Sequence, residues 1–255
     1  MEGGILGGFL ILDSIFFLPQ KKPISPIIYD AAGEILSIHP NEEDDYCLPV
    51  SLKEIPPDFL ARLIQFEDQR FFSHWGVDPW AVIRSLKQLI ANGKVISGAS
   101  TITMQVARLL TPKTPRTILQ KLKEMFRSFQ LEWHFSKDEI LEMYLTLAPY
   151  GGNRRSITLG AQYYFQKPLN KTNLIEQLIL ISIPQSPNRY CPVKHFLRTR
   201  ERIQKLGERF HAKGLITQEA LDRISQYQMP STPFVFPRLA PHLAFDKNYR
   251  GGYLL

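Results

Sequence analysis

The stretch PRTILQKLKEMFRSFQLEW, residues 115–133, decides the fold class, because it carries the clearest helical period in the chain. Its apolar residues recur every three or four positions and form one stripe along a helix. The members of this stripe are Ile118, Leu119, Leu122, Met125, Phe126, Phe129 and Trp133. The opposite face carries Lys121, Glu124 and Arg127. Lys121 and Arg127 lie three residues either side of Glu124, so both side chains can reach its carboxylate.

Two interpretations of this charged face stay open. The first is a solvated surface with salt bridges, which is common on helices. The second is a site that holds a diphosphate, with the carboxylate of Glu124 ordering the surrounding cations or a metal ion.

Helical patterns continue on both sides of this stretch. The spacing of apolar residues predicts helices over residues 58–73, 79–91, 100–110, 136–148, 172–183, 198–213 and 217–227. Ser136 and Glu139 form a capping box at the start of one of them. Upstream, SPIIYDAAGEILSI (residues 25–38) predicts a β-hairpin that turns near Gly33. The fold class is therefore mainly α with a short N-terminal β segment.

The N-terminal stretch GGILGGFLILDSIFFLP, residues 3–19, is apolar except for Asp13. It is shorter than the roughly 20 residues that span a bilayer, and no Lys or Arg precedes it. A truncated or minimal membrane anchor, a buried helix and a signal-like segment all stay open. We expect an N-terminal membrane helix over residues 1–20, a short β segment and linker over 21–56, and a helical domain over 57–228. Residues 229–255 form a Pro-rich tail, interpreted as the start of a missing C-terminal domain.

The charge balance is basic, with 31 Lys and Arg against 24 Asp and Glu and a formal net charge of +7. Such a balance favours an anionic partner, such as nucleic acid, an acidic membrane surface or a phosphorylated substrate. The basic residues sit within cleft-like motifs and form no continuous stripe, so nucleic acid is poorly supported. The two cysteines, Cys47 and Cys191, have no metal-like spacing, and we expect neither a disulfide framework nor a zinc site.

Two further stretches could carry chemistry. In FEDQRFFSHWG (residues 66–76), Glu67 and Asp68 end an apolar helix among aromatic residues. A carboxylate in such a setting can act as a general base near neutral pH, although a helix cap or a salt bridge to Arg70 would explain the pair equally well. In GASTITMQVARLL (residues 98–110), Ser100 or Thr101 can cap a helix whose N–H groups then face an anion. Together these stretches and the charged face of residues 115–133 predict a polar cleft for an anionic leaving group.

The segments EDQRFFSHWGVDPWA, GASTITMQVARLL, RTILQKLKEM with QLEWHFSKDEILEMYL, and LILISIPQSPNRYCP occur in a characteristic order and spacing. In this they resemble the peptidoglycan glycosyltransferases, glycosyltransferase family 51, over about Ser25 to His242. The resemblance implies a lysozyme-like α fold. It also implies an inverting hexosyltransferase that polymerises lipid II, undecaprenyl-diphosphate disaccharide-pentapeptide, into β-1,4 glycan strands.

Carried over by position, Glu67 would be the general base that deprotonates the 4-hydroxyl of the acceptor sugar. Glu124 would assist departure of the lipid diphosphate, directly or through a divalent metal (Mg or Mn) that bridges it. The substrate-binding residues that the resemblance implies are Asp68, Phe71, His74, Ser100, Thr101, Gln105, Arg108, Arg116, Lys121 and Lys137.

The resemblance also implies the partners and the location. The partners are lipid II, the growing glycan strand, the bacterial cytoplasmic membrane and other cell-wall synthesis proteins, without nucleic acid. The catalytic domain would lie on the periplasmic face of the cytoplasmic (inner) membrane behind a single N-terminal anchor. We hypothesise that an apolar surface around residues 80–90 or near residues 71–76 dips into the lipid.

Five positions depart from the family pattern. Gln120 stands where Arg is usual, Thr146 where Asn is usual, Arg155 and Ser156 where an acidic residue and Gly are usual, and Gln166 where Gly is usual. They motivate an alternative, a catalytically degenerate lipid II-binding or scaffold module. A lysozyme-type hydrolase would share the fold, but it does not require the cation-rich helix. No S-x-x-K motif of a transpeptidase is visible.

Overall fold

Helices dominate the computed structural model, which describes residues 2–20, 22–29, 35–92, 100–112, 115 and 117–228. The α-helices are α1 (Glu2–Ile15), α2 (Pro57–Glu67), α3 (Pro79–Asn92), α4 (Ile102–Leu110), α5 (Ile118–His134), α6 (Lys137–Leu147), α7 (Ile157–Phe165), α8 (Leu174–Ser182), α9 (Phe196–His211) and α10 (Gln218–Gln226). Short 3-10 helices cover Leu52–Glu54, Phe71–Ser73, Leu169–Lys171 and Ile183–Gln185. The mainly α fold predicted from the sequence is confirmed.

The predicted β-hairpin is also confirmed. Strands β1 (Ile27–Tyr29) and β2 (Ile35–Ile38) pair antiparallel, with Ile27 opposite Ile38. Its predicted turn at Gly33 lies outside the described residues, as does the whole Pro-rich tail from Met229.

The chain divides into two compact units. Unit 1 comprises Met1–Lys22 and Ile64–Tyr144, and unit 2 comprises Pro23–Leu63 and Leu145–Leu255. The boundaries fall inside α2 and α6.

In unit 1, α5 has the opposite exposure from that of an ordinary amphipathic helix. Much of its apolar stripe is exposed, with Ile118 at 84% and Leu119 at 62%. Three of its four buried residues are polar instead, namely Glu124, Ser128 and Gln130. The stripe therefore does not form the core, and the polar side chains of α5 require partners inside the unit.

Helix α1 packs on part of the apolar stripe and also supplies a partner for the buried polar side chains of α5. Phe9 packs against Phe126 and Trp133 at ring-centroid distances of 6.2 and 5.8 Å. Asp13 accepts a hydrogen bond from Gln130 at 2.7 Å. The expected N-terminal helix is thus present, but no helix among the described residues is long and apolar enough to span a bilayer.

In unit 2, the core is built on α8, which is buried over its last seven residues, Glu176–Ser182. The capping box of Asn173 and Glu176 starts this helix, and α9 and α10 contribute Ile203 and Ile224 to the buried interior. Helix α7 was not predicted, because its residues are almost all apolar and show no helical period. Gly160 within α7 is required by close packing, since a Cβ there would lie 2.5 Å from the ring of Tyr150.

Candidate active site

Glu67 and Gln105 meet in unit 1. Glu67 is the last residue of α2, and Gln105 lies in the second turn of α4. The side-chain amide of Gln105 donates from Nε2 to Glu67 Oε2 at 2.8 Å. Gln105 is only 7% exposed, whereas Glu67 is half-buried. A hydrogen bond at Glu67 therefore joins residues 66–76 directly to residues 98–110, the two further stretches predicted to carry chemistry.

Asp68, the next residue, holds the start of α4. Its carboxylate accepts the backbone N–H of Ile102 at 3.0 Å and lies 3.0 Å from His74 Nε2. An N-terminal helix amide lacks an intrahelical partner, so Asp68 supplies one. The sequence predicts that α2 extends to about Ser73, whereas the structure ends this helix at Glu67, directly before Asp68.

Thr101 caps α4 from the other side. Its hydroxyl accepts the N–H of Met104 at 3.1 Å and donates to the carbonyl of Gly76. Asp68, His74 and Thr101 are all buried and bonded to protein groups, so these contacts position α4. Substrate binding by the three stays a prediction.

The second carboxylate, Glu124, lies on the buried face of α5 and is 8% exposed. Lys121 Nζ lies 3.3 Å from Glu124 Oε2 and donates to Ser100 Oγ at 2.8 Å. The predicted approach of Lys121 to Glu124 is confirmed. The expectation that Arg127 also reaches Glu124 is not met by the contacts that the structure shows. Its guanidinium donates to the carbonyl of Phe16 at 2.7 Å and to Gln130 Oε1 at 2.7 Å.

Glu124 lines a largely apolar groove of about 540 Å³ within unit 1. The charged members of its lining are Glu124, Lys123 and Arg127, and Gln120 lies among them where the family usually has Arg. The other lining residues are Leu12, Phe16, Ala107, Thr111, Pro112, Leu122 and Phe126. The groove combines a carboxylate, two cations and an apolar wall, which suits an amphiphilic anion.

Lys137 and Phe71 support the site from the interior. Lys137 Nζ donates to the carbonyl of His74 and to Glu132 Oε1, both at 2.7 Å, and lies 4.5 Å from the centroid of the Phe71 ring. Phe71 is fully buried, so it shapes the loop after α2 rather than presenting a surface. Sequence reasoning missed Glu132, which also accepts the Thr103 hydroxyl at 2.6 Å. Its position between apolar Leu131 and Trp133 was the available signal.

Two predicted basic residues have different outcomes. Arg108 lies half-exposed in the last turn of α4, one turn beyond Gln105. Arg116 lies outside the described residues, and its part in the site stays a prediction.

Of the departures in unit 2, Thr146 and Arg155 make local hydrogen bonds, whereas Ser156 and Gln166 adopt backbone angles that favour glycine. Thr146 Oγ1 accepts the N–H of Val50 at 3.1 Å. Arg155 Nε donates to Asp45 at 3.0 Å. Ser156 and Gln166, both at positions where the family usually has Gly, adopt positive φ angles of 81° and 56°. These are backbone conformations that glycine adopts more easily.

The thiol of Cys47 is poorly suited to act as a nucleophile. Burial raises the pKa of the Cys47 thiol to about 11, so this group stays protonated at neutral pH.

A divalent metal held by the protein alone would need several carboxylate, imidazole or thiolate ligands close together. Among the described residues, no group of three or more His, Cys, Asp or Glu side chains could hold an ion. A single carboxylate such as Glu124 can ligate an ion such as Mg²⁺ where the other ligands come from outside the protein.

A family model described as Transglycosylase matches residues 33–211. The chain therefore belongs to the transglycosylase family, as the order of its segments indicated.

Curated relatives agree with this assignment. The forms SGASTITMQVARLL and APYGGN resemble the glycosyltransferase domain of penicillin-binding protein 1C. The chain is 38% identical to penicillin-binding protein 1C of Escherichia coli (strain K12), over 76% of this chain and 25% of that protein. It is 32% identical to penicillin-binding protein 1A of the same organism, over 88% of this chain and 27% of that protein. The chain thus spans about a quarter of the length of these relatives.

A crystal structure of penicillin-binding protein 1A from Haemophilus influenzae is also similar. It is 20% identical, with a TM-score of 0.45, over 90% of this chain and 23% of that chain.

Proposed function

We propose that the chain is a peptidoglycan glycosyltransferase that polymerises lipid II into β-1,4 glycan strands and releases undecaprenyl diphosphate. One observation carries the proposal. The polar stretch Ser100–Gln105 contacts both carboxylate environments, through Gln105 to Glu67 and through Ser100 to Lys121, which bonds Glu124. A polymerase that joins a hydroxyl to a sugar diphosphate needs a base on one side and neutralising charge on the other.

In this mechanism, Glu67 accepts the proton of the acceptor 4-hydroxyl. The hydroxyl oxygen forms a bond to the anomeric carbon of the donor while the bond from that carbon to the diphosphate oxygen breaks. The bonding electron pair leaves with the diphosphate, and the configuration at the anomeric carbon inverts. Lys121 stabilises the developing negative charge, because an ammonium next to a departing oxyanion is worth more in a partly buried site than in water.

Glu124 holds Lys121 in place for this step. Its carboxylate is 3.3 Å from Lys121 Nζ and nearly buried, so the ammonium is fixed between Glu124 and Ser100. We propose that Glu124 also supplies the protein ligand of a divalent metal, Mg or Mn. When bound, such an ion would neutralise charge on the lipid diphosphate.

We propose that the reaction takes place at the periplasmic face of the bacterial cytoplasmic membrane, with other cell-wall synthesis proteins as partners. Large apolar side chains of unit 1 are exposed, including Trp75 at 63%, Trp80 at 66% and Ile118 at 84%. Trp75, Trp80 and Ile83 line a further groove of about 720 Å³. Exposed apolar surface of this extent supports contact with lipid, where the long tail of the substrate remains.

The test is polymerisation of labelled lipid II by the detergent-solubilised protein, beside Glu67→Gln and Glu124→Gln. We expect glycan strands from the parent and a loss of at least 100-fold in kcat for Glu67→Gln, in line with removal of a general base. Glu124→Gln is expected to retain lipid II binding while losing turnover.

A folded parent that binds lipid II without forming product would refute the enzyme assignment. That outcome would favour the catalytically degenerate module. The contacts of Arg155 and Ser156 would then be the first to change.

A further inference from the structure

Helix α4 presents Gln105 to Glu67 from a fixed frame. Asp68 binds the N–H of Ile102 at the first residue of this helix, and Thr101 caps it by accepting the N–H of Met104. Gln105 follows one turn later and is 93% buried, as its exposed fraction is 7%. A long side chain enclosed on a pinned helix has little rotamer freedom, so its amide is a fixed donor.

We propose that Gln105 is a positioning residue for Glu67, and that it sets the plane of the Glu67 carboxyl through the hydrogen bond to Oε2. The proposal rests on the function proposed above. Glu67 is the last residue of α2, so no further turn of this helix flanks its side chain. The amide of Gln105 supplies a restraint from another helix.

The neutral amide is the appropriate donor for this purpose. A hydrogen bond from an uncharged donor stabilises a carboxylate less than an ion pair to Lys or Arg does. The carboxylate is therefore held in place and still able to take a proton. The resemblance implies that Gln105 binds substrate, and its contact with Glu67 adds a role at the proposed base.

The consequence for turnover follows from geometry. A general base has to lie within hydrogen-bond reach of the proton that it removes, and a misplacement of about 1 Å can cost roughly 100-fold in rate. Gln105→Met keeps the length and the apolar stem of the side chain and removes the donor. We expect kcat for lipid II polymerisation to fall roughly 10- to 100-fold, with KM within about twofold of the parent.

The second measurement does not need turnover. The titration of Glu67 is followed by NMR of protein carrying ¹³C-labelled glutamate, with the resonance assigned by its loss in Glu67→Gln. Gln105→Met should move the midpoint upward by roughly half a pH unit, since a donor to the charged form is lost. Gln105→Glu should move it further upward, because two carboxyls would then share the position.

Gln65→Met is the matched control. Gln65 lies on α2 two residues before Glu67 and is half-buried, so it faces a different side of the helix. We expect its kcat and the Glu67 titration to equal those of the parent. Circular dichroism and thermal midpoints confirm that each variant is folded.

The outcomes separate this proposal from the function that it assumes. A Glu67 titration that is identical in the parent, Gln105→Met and Gln105→Glu overturns the positioning role, whatever the activity. A rise in KM with kcat unchanged also overturns it, in favour of substrate binding. A parent that forms no glycan while its Glu67 titration shifts in both variants refutes the enzyme assignment and leaves the positioning contact supported.

Discussion

The carboxylate of Asp68 accepts the backbone N–H of Ile102 at 3.0 Å, across 34 positions of the chain. This contact joins the loop after α2 to the start of α4, and His74 Nε2 lies 3.0 Å from the same carboxylate. Both carboxylate oxygens are therefore used inside the protein. Asp68 and Glu67 are neighbours in sequence, but Asp68 holds the helix from which Gln105 reaches Glu67.

Asp68→Ala should therefore destabilise the fold strongly. The substitution leaves a buried helix N–H and a buried His74 without this partner. We expect the free energy of unfolding to fall by about 3 kcal/mol, measured by urea denaturation.

The control is Asp58→Ala. Asp58 pairs with Arg62 at 3.2 Å, but its side chain is 84% exposed. Its loss should cost less than about 1 kcal/mol. Equal effects of the two substitutions would show that the Asp68 contacts contribute no more than a surface ion pair.

The sequence predicts most of the helices, although not α7, because their signals are local. Thr101, Thr117 and Thr217 cap α4, α5 and α10 through their hydroxyl groups, and Glu139 completes its capping box with Ser136. Such contacts span three residues and depend only on neighbours in the chain.

The burial of α5 could not be predicted in the same way. Periodicity shows that a helix has two faces, but it does not show which face meets the protein interior. Polar side chains of α5 that face inward find partners far away in the sequence, since Asp13 of α1 bonds Gln130 and Ser100 ahead of α4 bonds Lys121. Besides Gln130, Arg127 donates to backbone carbonyls in residues 16–17, which carry no side-chain signal in the sequence.

The exposed apolar residues of unit 1 predict specific binding to lipid. Trp80 and Ile83 are 66% and 43% exposed, so replacing them should not disturb the core. We expect Trp80→Glu with Ile83→Glu to weaken binding to vesicles of anionic phospholipid at least 10-fold in a sedimentation assay, since burial of one large apolar side chain contributes about 2 kcal/mol.

Leu197→Glu with Val193→Glu provides the comparison. Both residues lie in unit 2 and are 65% and 45% exposed, so this variant also exchanges two exposed apolar side chains for two negative charges. Vesicle binding should be unchanged in this variant. A similar loss in both variants would point to a general effect of added negative charge instead of a lipid-binding surface.

Glycine substitutions should stabilise unit 2 at Ser156 and Gln166. Ser156 has φ 81° and a buried hydroxyl for which the described residues provide no hydrogen-bond partner. Gln166 has left-handed φ and ψ angles of 56° and 35° at the end of α7. Each glycine should raise the free energy of unfolding by about 1 kcal/mol, because a side chain in these conformations costs roughly that much.

Two controls carry the same chemistry at ordinary backbone angles. Ser182 in α8 donates to the carbonyl of Ile179, and Gln162 lies inside α7. Ser182→Gly and Gln162→Gly should each lower the free energy of unfolding by about 1 kcal/mol. If all four glycine substitutions stabilise the protein, the positive φ angles of Ser156 and Gln166 do not explain the effect.

The carboxyl group of Asp78 makes the stability of unit 1 depend on pH. Burial by itself raises the pKa of this carboxyl. The guanidinium of Arg70 at 3.1 Å and the N–H groups of Ala81 and Trp80 outweigh burial and hold the pKa below its ordinary value of 3.8. Since the folded pKa is depressed, the stabilisation is complete above pH 3.8 and is lost as the pH falls through the folded pKa.

Asp78→Asn should therefore be less stable than the parent at pH 6, and the difference should shrink progressively below about pH 4. The measurement is the urea midpoint between pH 2.5 and 6. A difference that stays constant over this range would mean that ionisation of Asp78 contributes nothing to folding.

Arg155, which departs from the family pattern, forms an ion pair with Asp45. Arg155 stands where an acidic residue is usual, and its Nε lies 3.0 Å from Asp45, with both side chains about one-fifth exposed. Arg155→Glu would place two carboxylates together and should lower the free energy of unfolding by about 1–2 kcal/mol. The double exchange Arg155→Glu with Asp45→Arg should recover most of that loss, because it restores the pair with its charges reversed.

If the double exchange folds like the parent and also polymerises lipid II at the parental rate, the arginine is a compensated substitution. A stable double exchange that polymerises less than a tenth as fast would instead show that the Arg155 side chain itself is needed for turnover.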